Sequence, residues 1–173
     1  MERNELLKLG GVSGKTVLDV GAGPLGLIAA GEFDCEVTTI DISASALESA
    51  RGQAIRAGLA DRIHFDQQDA SDLSYPDNSF DVAISYAALH HVPVGRRKRF
   101  LRELFRVVRE SVIIADFTAS EFERVHPRGE YEAVDLQWLE DCLGGLGDTV
   151  RHRGQRMNAY ICRKAMGARG ARQ

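Results

Sequence analysis

The sequence contains no apolar run near the roughly 18 to 20 residues that a bilayer-spanning helix needs. Its opening residues, MERNELLKLGG, also lack the apolar segment of a secretory signal. No membrane association is therefore expected, and the cytoplasm is the default location. Cysteine is scarce: Cys35, Cys142 and Cys162 are odd in number, far apart and without CxxC or Cys/His spacing. That pattern excludes a disulfide framework, and no metal site is expected from it. No internal repeat occurs. Acidic residues are missing from one region only, since residues 151–173 carry seven bases and no acid, whereas residues 1–150 carry all 25 acids against 15 bases. The net charge of −3 thus hides a basic end, which would suit an anionic partner such as RNA or simply a solvated tail.

What is present fits one domain, because 173 residues, 44% of them apolar, suffice for a single core but hardly for two. The domain is placed at residues 1–164. Residues 165–173 have no apolar period and read as a disordered basic tail. Five Val- and Ile-rich runs, bounded by Gly, Asp, Ser or Pro, read as strands: TVLDV (16–20), EVTTID (36–41), IHFDQ (63–67), FDVAIS (80–85) and SVIIADF (111–117). Helical stretches separate them, notably 45–57, entered through Ser43 or Ser45, and 96–108, which buries Phe100, Leu101, Leu104 and Phe105. Alternation of this kind predicts a doubly wound, Rossmann-like α/β sheet. A helix over 133–143 and two closely spaced runs, DTVRH and MNAYICRK, add a terminal hairpin, so that seven strands result and the last is reversed. The stretch from Ser120 to Tyr131 reads as a loop and as the one internal boundary.

The densest motif is VLDVGAGPLG (17–26), in which a buried strand enters a glycine-rich turn ahead of a helix. Such glycines admit a ligand close to the backbone, and the helix start offers free N–H groups. Asp41 closes the second strand, where a carboxylate can accept hydrogen bonds from the two hydroxyls of an adenosine ribose. Gly21, Gly23 and Gly26 also satisfy G-x-G-x-x-G, so a nicotinamide-dinucleotide oxidoreductase is the natural competitor. That reading has little room for a substrate domain. Its short-chain variant needs a helix-borne Tyr-x-x-x-Lys, whereas Tyr160 and Lys164 fall in a predicted strand, where four residues span about 13 Å.

On these residues the chain resembles class I S-adenosylmethionine-dependent methyltransferases, and FDVAISYAALHHV (80–92) is similar to their small-molecule, type 11 branch. The resemblance covers roughly Val17 to Phe117 and implies S-adenosylmethionine as cofactor. It implies contacts from Asp19, Gly21, Ala22 and Gly23 in the turn, Asp41 and Ile42 after the second strand, Asp69 and Ala70 at the adenine, and Tyr86 over the cofactor. The family's third glycine position falls on Leu25 and glycine follows one residue later, so a slightly reshaped turn is expected.

On the acceptor side the resemblance implies methyl transfer to a small molecule, with an RNA or protein acceptor as the lesser alternative. Strand-end groups supply the catalytic candidates, His91 and Asp116, with His90, His126 and Tyr86 nearby, although a methyl transfer driven by positioning needs no dedicated base. No metal is expected there. The fourth strand ends in SYAA and lacks the Asn/Asp-Pro-Pro-aromatic signature of enzymes acting on amide or adenine nitrogens. Only about 15 residues precede the first strand, so an open site is expected, covered by residues 117–138 or by a second subunit in a homodimer. The run Arg96 to Arg99 opposes the dipole at a helix start and reads as a solvated helix face, with an anionic partner such as a phosphate or acidic acceptor as the lesser alternative. A catalytically silent cofactor-binding subunit remains a reading of the same fold.

Overall fold

A computed structural model describes residues 1–165; the expected basic tail lies, from 166 on, outside the described residues. Seven strands form one sheet: β1 (Thr16–Val20), β2 (Glu36–Asp41), β3 (Ile63–Gln67), β4 (Phe80–Tyr86), β5 (Val108–Phe117), β6 (Asp148–His152) and β7 (Met157–Arg163). Their spatial order is β3-β2-β1-β4-β5-β7-β6. The contacts among β1 to β5 are parallel, while β7 is antiparallel to both of its neighbours, so the reversed strand is the last one in the chain. The hairpin connecting β6 and β7 enforces that reversal. Tyr160 lies fully buried inside β7 and Lys164 follows its end, so the two do not share a helix face.

Helices cover both faces, and the strands assign side chains to the faces by strict alternation. On β5, Ile113 and Ala115 join a core with α1 (Arg3–Gly10), α2 (Leu25–Glu32) and α3 (Ala44–Arg56). Val112 and Ile114 face the other core, filled by Phe100, Leu101 and Leu104 of α4 (Val94–Val107) and by Leu139 and Leu143 of α6 (Leu136–Gly144). α3 begins as expected, with the Ser43 hydroxyl accepting from the Ala46 amide.

Three local expectations change. α4 runs directly into β5, which starts at Val108 rather than Ser111, because Val107 and Val108 are both fully buried, one for each element. The stretch taken as a loop and boundary contains α5 (Ala119–Val125), anchored by buried Phe122. The short leader folds as α1, whose Leu6 and Leu7 are fully buried and whose end is closed by Gly11 at φ 61°. The Gly10-Gly11 pair was the legible signal, since glycine in this left-handed conformation commonly ends a helix.

Candidate functional site

The strand order reverses between β1 and β4, and crevices of open α/β sheets form at such points beyond the strands' carboxyl ends. A cavity of about 660 Å³ opens there. Its wall takes in the glycine-rich turn, Asp41 and Ile42, Asp69 and Ala70, Tyr86, His91, Arg96 and Tyr131. All nine residues expected at a cofactor lie on this wall.

The turn is held by Asp41. One of its carboxylate oxygens accepts the Ala22 amide at 2.9 Å and the other the Ser43 amide at 2.9 Å, while the Gly21 amide reaches Ile40 O at 2.8 Å. Gly21 sits at φ 101°, a conformation that glycine alone adopts without strain. Gly26 has a different task. A Cβ there would stand 2.7 Å from Thr39 Oγ1 and 2.8 Å from Asp19 Oδ2, so the missing side chain lets α2 close onto β1 and β2. The displaced glycine therefore performs the helix-packing duty of a third motif glycine at its own position.

Beneath that contact Asp19 is 2% exposed, and burial pushes its carboxyl up to about 7 against the lowering pull of the Thr39 hydroxyl, the Gly26 backbone and Arg3. Burial thus outweighs the pull of Arg3 on this group. Asp69 is the opposite case. Its partial burial works against ionisation, yet the Ser71 amide and hydroxyl, at 2.9 and 2.7 Å, and Arg96, at 2.9 Å, hold it below the usual carboxylate range. Ile42, between these two carboxylate sites, leaves 71% of its surface uncovered at the cavity rim, as an apolar face awaiting a flat ligand would.

The open mouth expected from the short leader is narrowed by that leader itself. The Tyr86 hydroxyl donates to Met1 O at 3.1 Å, and the Arg3 guanidinium stacks 4.7 Å over the Tyr86 ring. Arg3 lines the cavity with a buried Nε that has no hydrogen-bond partner among the described residues. Nothing in the sequence marked Arg3, because its place depends on the packing of α1.

At the far end of the cavity the side chains converge from three elements. A single 3-10 turn after β4 (Leu89–His91) presents His90 and His91 in opposite senses, the first buried at 2% exposure and the second on the cavity wall. Ala87, just before it, takes φ 53°, an uncommon conformation for a residue with a side chain. Asp116, the penultimate residue of β5, is fully enclosed; it accepts the amides of His90 and Phe117 and lies 2.8 Å from His90 Nδ1. Because Asp116 already accepts two amides, we assign the donor of this third contact to His90 Nδ1, which leaves its Nε2 as the acceptor toward His126. That Nε2 meets His126 Nε2 at 3.2 Å, and the rings of His90 and His91 lie 4.2 Å apart, tilted by 40°. The two catalytic candidates are therefore not in direct contact: Asp116 grips His90, and His91 rests on His90. Burial of its flank, followed by the neighbouring His90 and His126, holds the His91 imidazole below its usual range.

Of the expected cover over residues 117–138, Tyr131 borders the cavity, 4.3 Å from His91, while Trp138 lies in a separate shallow groove beside Lys98 and Arg102. The basic run at the start of α4 is not one solvated face. Arg97 is 4% exposed and donates to the carbonyls of His90, Val92, Glu132 and Ala133, tying the segment after α5 to the turn after β4. Arg96 and Arg99 pair with Asp69 and Asp72. No described helix is long and apolar enough to cross a membrane.

A family model described as a methyltransferase domain matches residues 17–111. Among curated proteins, 27-O-demethylrifamycin SV methyltransferase of Amycolatopsis mediterranei is 39% identical over 99 residues, covering 56% of this chain and 36% of its own length. Ajmaline N-methyltransferase of Rauvolfia serpentina is 34% identical over 102 residues, covering 58% of this chain and 34% of its own length. The chain thus spans about a third of the length of these two relatives. Among solved structures, a putative S-adenosylmethionine-dependent methyltransferase from Methanococcus maripaludis superposes with a TM-score of 0.77 at 20% identity, covering 94% of this chain and 83% of the other.

Proposed function

The chain belongs to the methyltransferase-domain family, and from that premise we propose that it moves a methyl group from S-adenosylmethionine to a hydroxyl or amine of a small molecule, with His91 receiving the acceptor's proton. The observation that carries this reading is the continuity of one cavity from Asp41 at one end to His91 at the other. Its volume lies within the range of small-ligand sites.

When bound, S-adenosylmethionine supplies an activated methyl on a sulfonium, which asks of the protein position more than activation. Asp41 spends one lone pair of each oxygen on a backbone amide and keeps the others for ribose hydroxyls. Ile42 and Ala70 offer the apolar walls for an adenine, and Asp69, held ionised by Ser71 and Arg96, accepts at its edge. Asp19 faces a ligand that brings positive charge, and in its presence the carboxyl would lose the proton that burial favours. Arg3 brings a donor without a hydrogen-bond partner among the described residues to the same cavity and suits an anionic ligand group.

At the acceptor end His91 is neutral near pH 7 and exposes a lone pair, while the Asp116–His90 pair behind it fixes the ring it lies against. His91 would thus be the catalytic base, and His90 and Asp116 positioning residues. Small-molecule acceptors with an O–H or N–H accord with the relatives named for rifamycin O-methylation and ajmaline N-methylation.

Parallel calorimetric titrations with S-adenosylmethionine, S-adenosylhomocysteine and NAD test the cofactor. Binding of the first two without NAD is expected, and NAD binding alone would overturn the assignment. Release of S-adenosylhomocysteine on addition of a panel of phenols and amines tests the transfer. Cofactor binding with no turnover across the panel would favour a silent binding subunit.

A further inference from the structure

His90, His91 and His126 are the three histidines at the acceptor end; the other two in the chain, His64 and His152, lie elsewhere, on β3 and at the end of β6. One ring nitrogen from each of the three falls within 4.8 Å of the other two. We propose that these imidazoles form a site for a divalent transition-metal ion of the zinc class, with Asp116 fixing His90 from behind and one coordination position open to the cavity. The inference stands on the cluster alone and is independent of the methyl-transfer reading.

The geometry of one pair is already close to that of coordination. Zinc–imidazole bonds of about 2.0 to 2.1 Å at a tetrahedral centre place two ligand nitrogens about 3.3 Å apart. His90 Nε2 and His126 Nε2 stand 3.2 Å apart. Two imidazole nitrogens at this separation share either a proton or an ion, and the third converging imidazole favours the ion. His91 has to close by at most about 1.5 Å to reach the same separation, a shift within reach of a side chain that is exposed and sits on a single turn.

The surroundings agree. Metal-bound histidines generally donate their remaining N–H to a carboxylate, which fixes tautomer and ring orientation. Asp116 does this for His90 at 2.8 Å, both groups being almost fully buried. Three imidazoles without a thiolate suit zinc, cobalt, nickel or copper in the divalent state rather than magnesium or calcium, which prefer oxygen ligands. His91 and Tyr131 border the cavity, so a small oxygen or nitrogen ligand entering it could take the open position. An ion held there occupies the His91 lone pair and would compete with proton transfer to that ring.

Zinc chloride titrated calorimetrically into the tag-free chain, with no cofactor present, decides the matter. One equivalent should bind, and His126→Ala and His91→Ala should each weaken binding at least tenfold. Asp116→Asn should weaken it roughly 10- to 100-fold through the misoriented ligand. His64→Ala and His152→Ala should leave it unchanged. Cobalt in place of zinc should develop the visible absorption of a tetrahedral site. His91 is exposed, so its variant retains the fold, as far-ultraviolet dichroism of the metal-free chain would verify. Absence of saturable binding, or unchanged affinity in both His91→Ala and His126→Ala, would overturn the site.

Discussion

The two ends of the cavity are built by different means. Around Asp41 the polar contacts are short-range and go through the backbone: the Ala22 amide, the Ser43 amide and the Gly21–Ile40 bond belong to two adjacent strand ends. Around His90 the groups are side chains brought from the turn after β4, the end of β5 and the residue following α5, with Asp116 26 positions and His126 36 positions further along the chain than His90. A site made of backbone amides needs only the strand and the turn to form. One made of convergent side chains needs the whole second half of the sheet in register, with Arg97 fastening the segment after α5. The first end therefore suits a ligand common to many proteins, and the second can change its specificity by altering a few side chains.

Substitutions at each end sharpen this contrast. Asp116→Asn should lower turnover of a hydroxyl acceptor by roughly 100-fold or more, because His90 loses the carboxylate that sets its tautomer. Affinity for S-adenosylmethionine should not move, and a parallel loss of both would show that the two ends are not separable. In the parent protein the acid limb of the rate profile should fall below the ordinary imidazole value of 6.5. The sign follows from the His91 pKa being lowered: the ring becomes a free base at a lower pH than an unperturbed histidine.

Asp41→Ala removes the acceptor of two turn amides as well as the ribose partner. Cofactor binding measured by calorimetry should weaken by about 2 kcal/mol, with acceptor affinity little affected. Gly26→Ala forces a methyl into Thr39 and Asp19 and should cost at least about 1 kcal/mol in urea unfolding, since overpacking strains a filled contact. An unchanged midpoint would mean that α2 can lift from the sheet without cost.

A further readout concerns protons. With burial pushing the Asp19 carboxyl up to about 7, part of this group is protonated near pH 7, and a ligand bringing positive charge should release protons on binding. Calorimetry in two buffers of different ionisation enthalpy measures the release. Stability carries the same signature. Because the folded pKa lies above the unfolded one, the unfolding free energy should decline as pH rises from about 4 through about 7, and Asp19→Asn should flatten that decline.

The contrast also explains what could be read in the sequence. Strand alternation and the Gly21-x-Gly23 turn ahead of Asp41 are local patterns; they are enough to read the sheet and to name nine residues that line one cavity. The boundary between α4 and β5 was misplaced by three residues because β-branched Val107 and Val108 satisfy either pattern. By sequence Arg97 reads as one of four surface cations, since nothing local reveals that the carbonyls of His90 and Val92 and those of Glu132 and Ala133 converge on it. His90 and His91 were visible as a pair, but which of them Asp116 would grip is a matter of turn geometry, and His126 joined them only through a helix that had read as a loop.

The reversed strand has a practical consequence for anyone attaching something to this protein. Because β7 runs against β5, Arg163 pairs with Ser111 and the Lys164 amide reaches back to Glu110 O, at the end of the strands opposite the cavity. Met1, by contrast, rests against Tyr86 at the cavity mouth. The two termini of the described fold are unequal handles: a fluorophore or surface tether joined beyond Lys164 would leave ligand access untouched, whereas the same group at Met1 would report on, or obstruct, whatever enters.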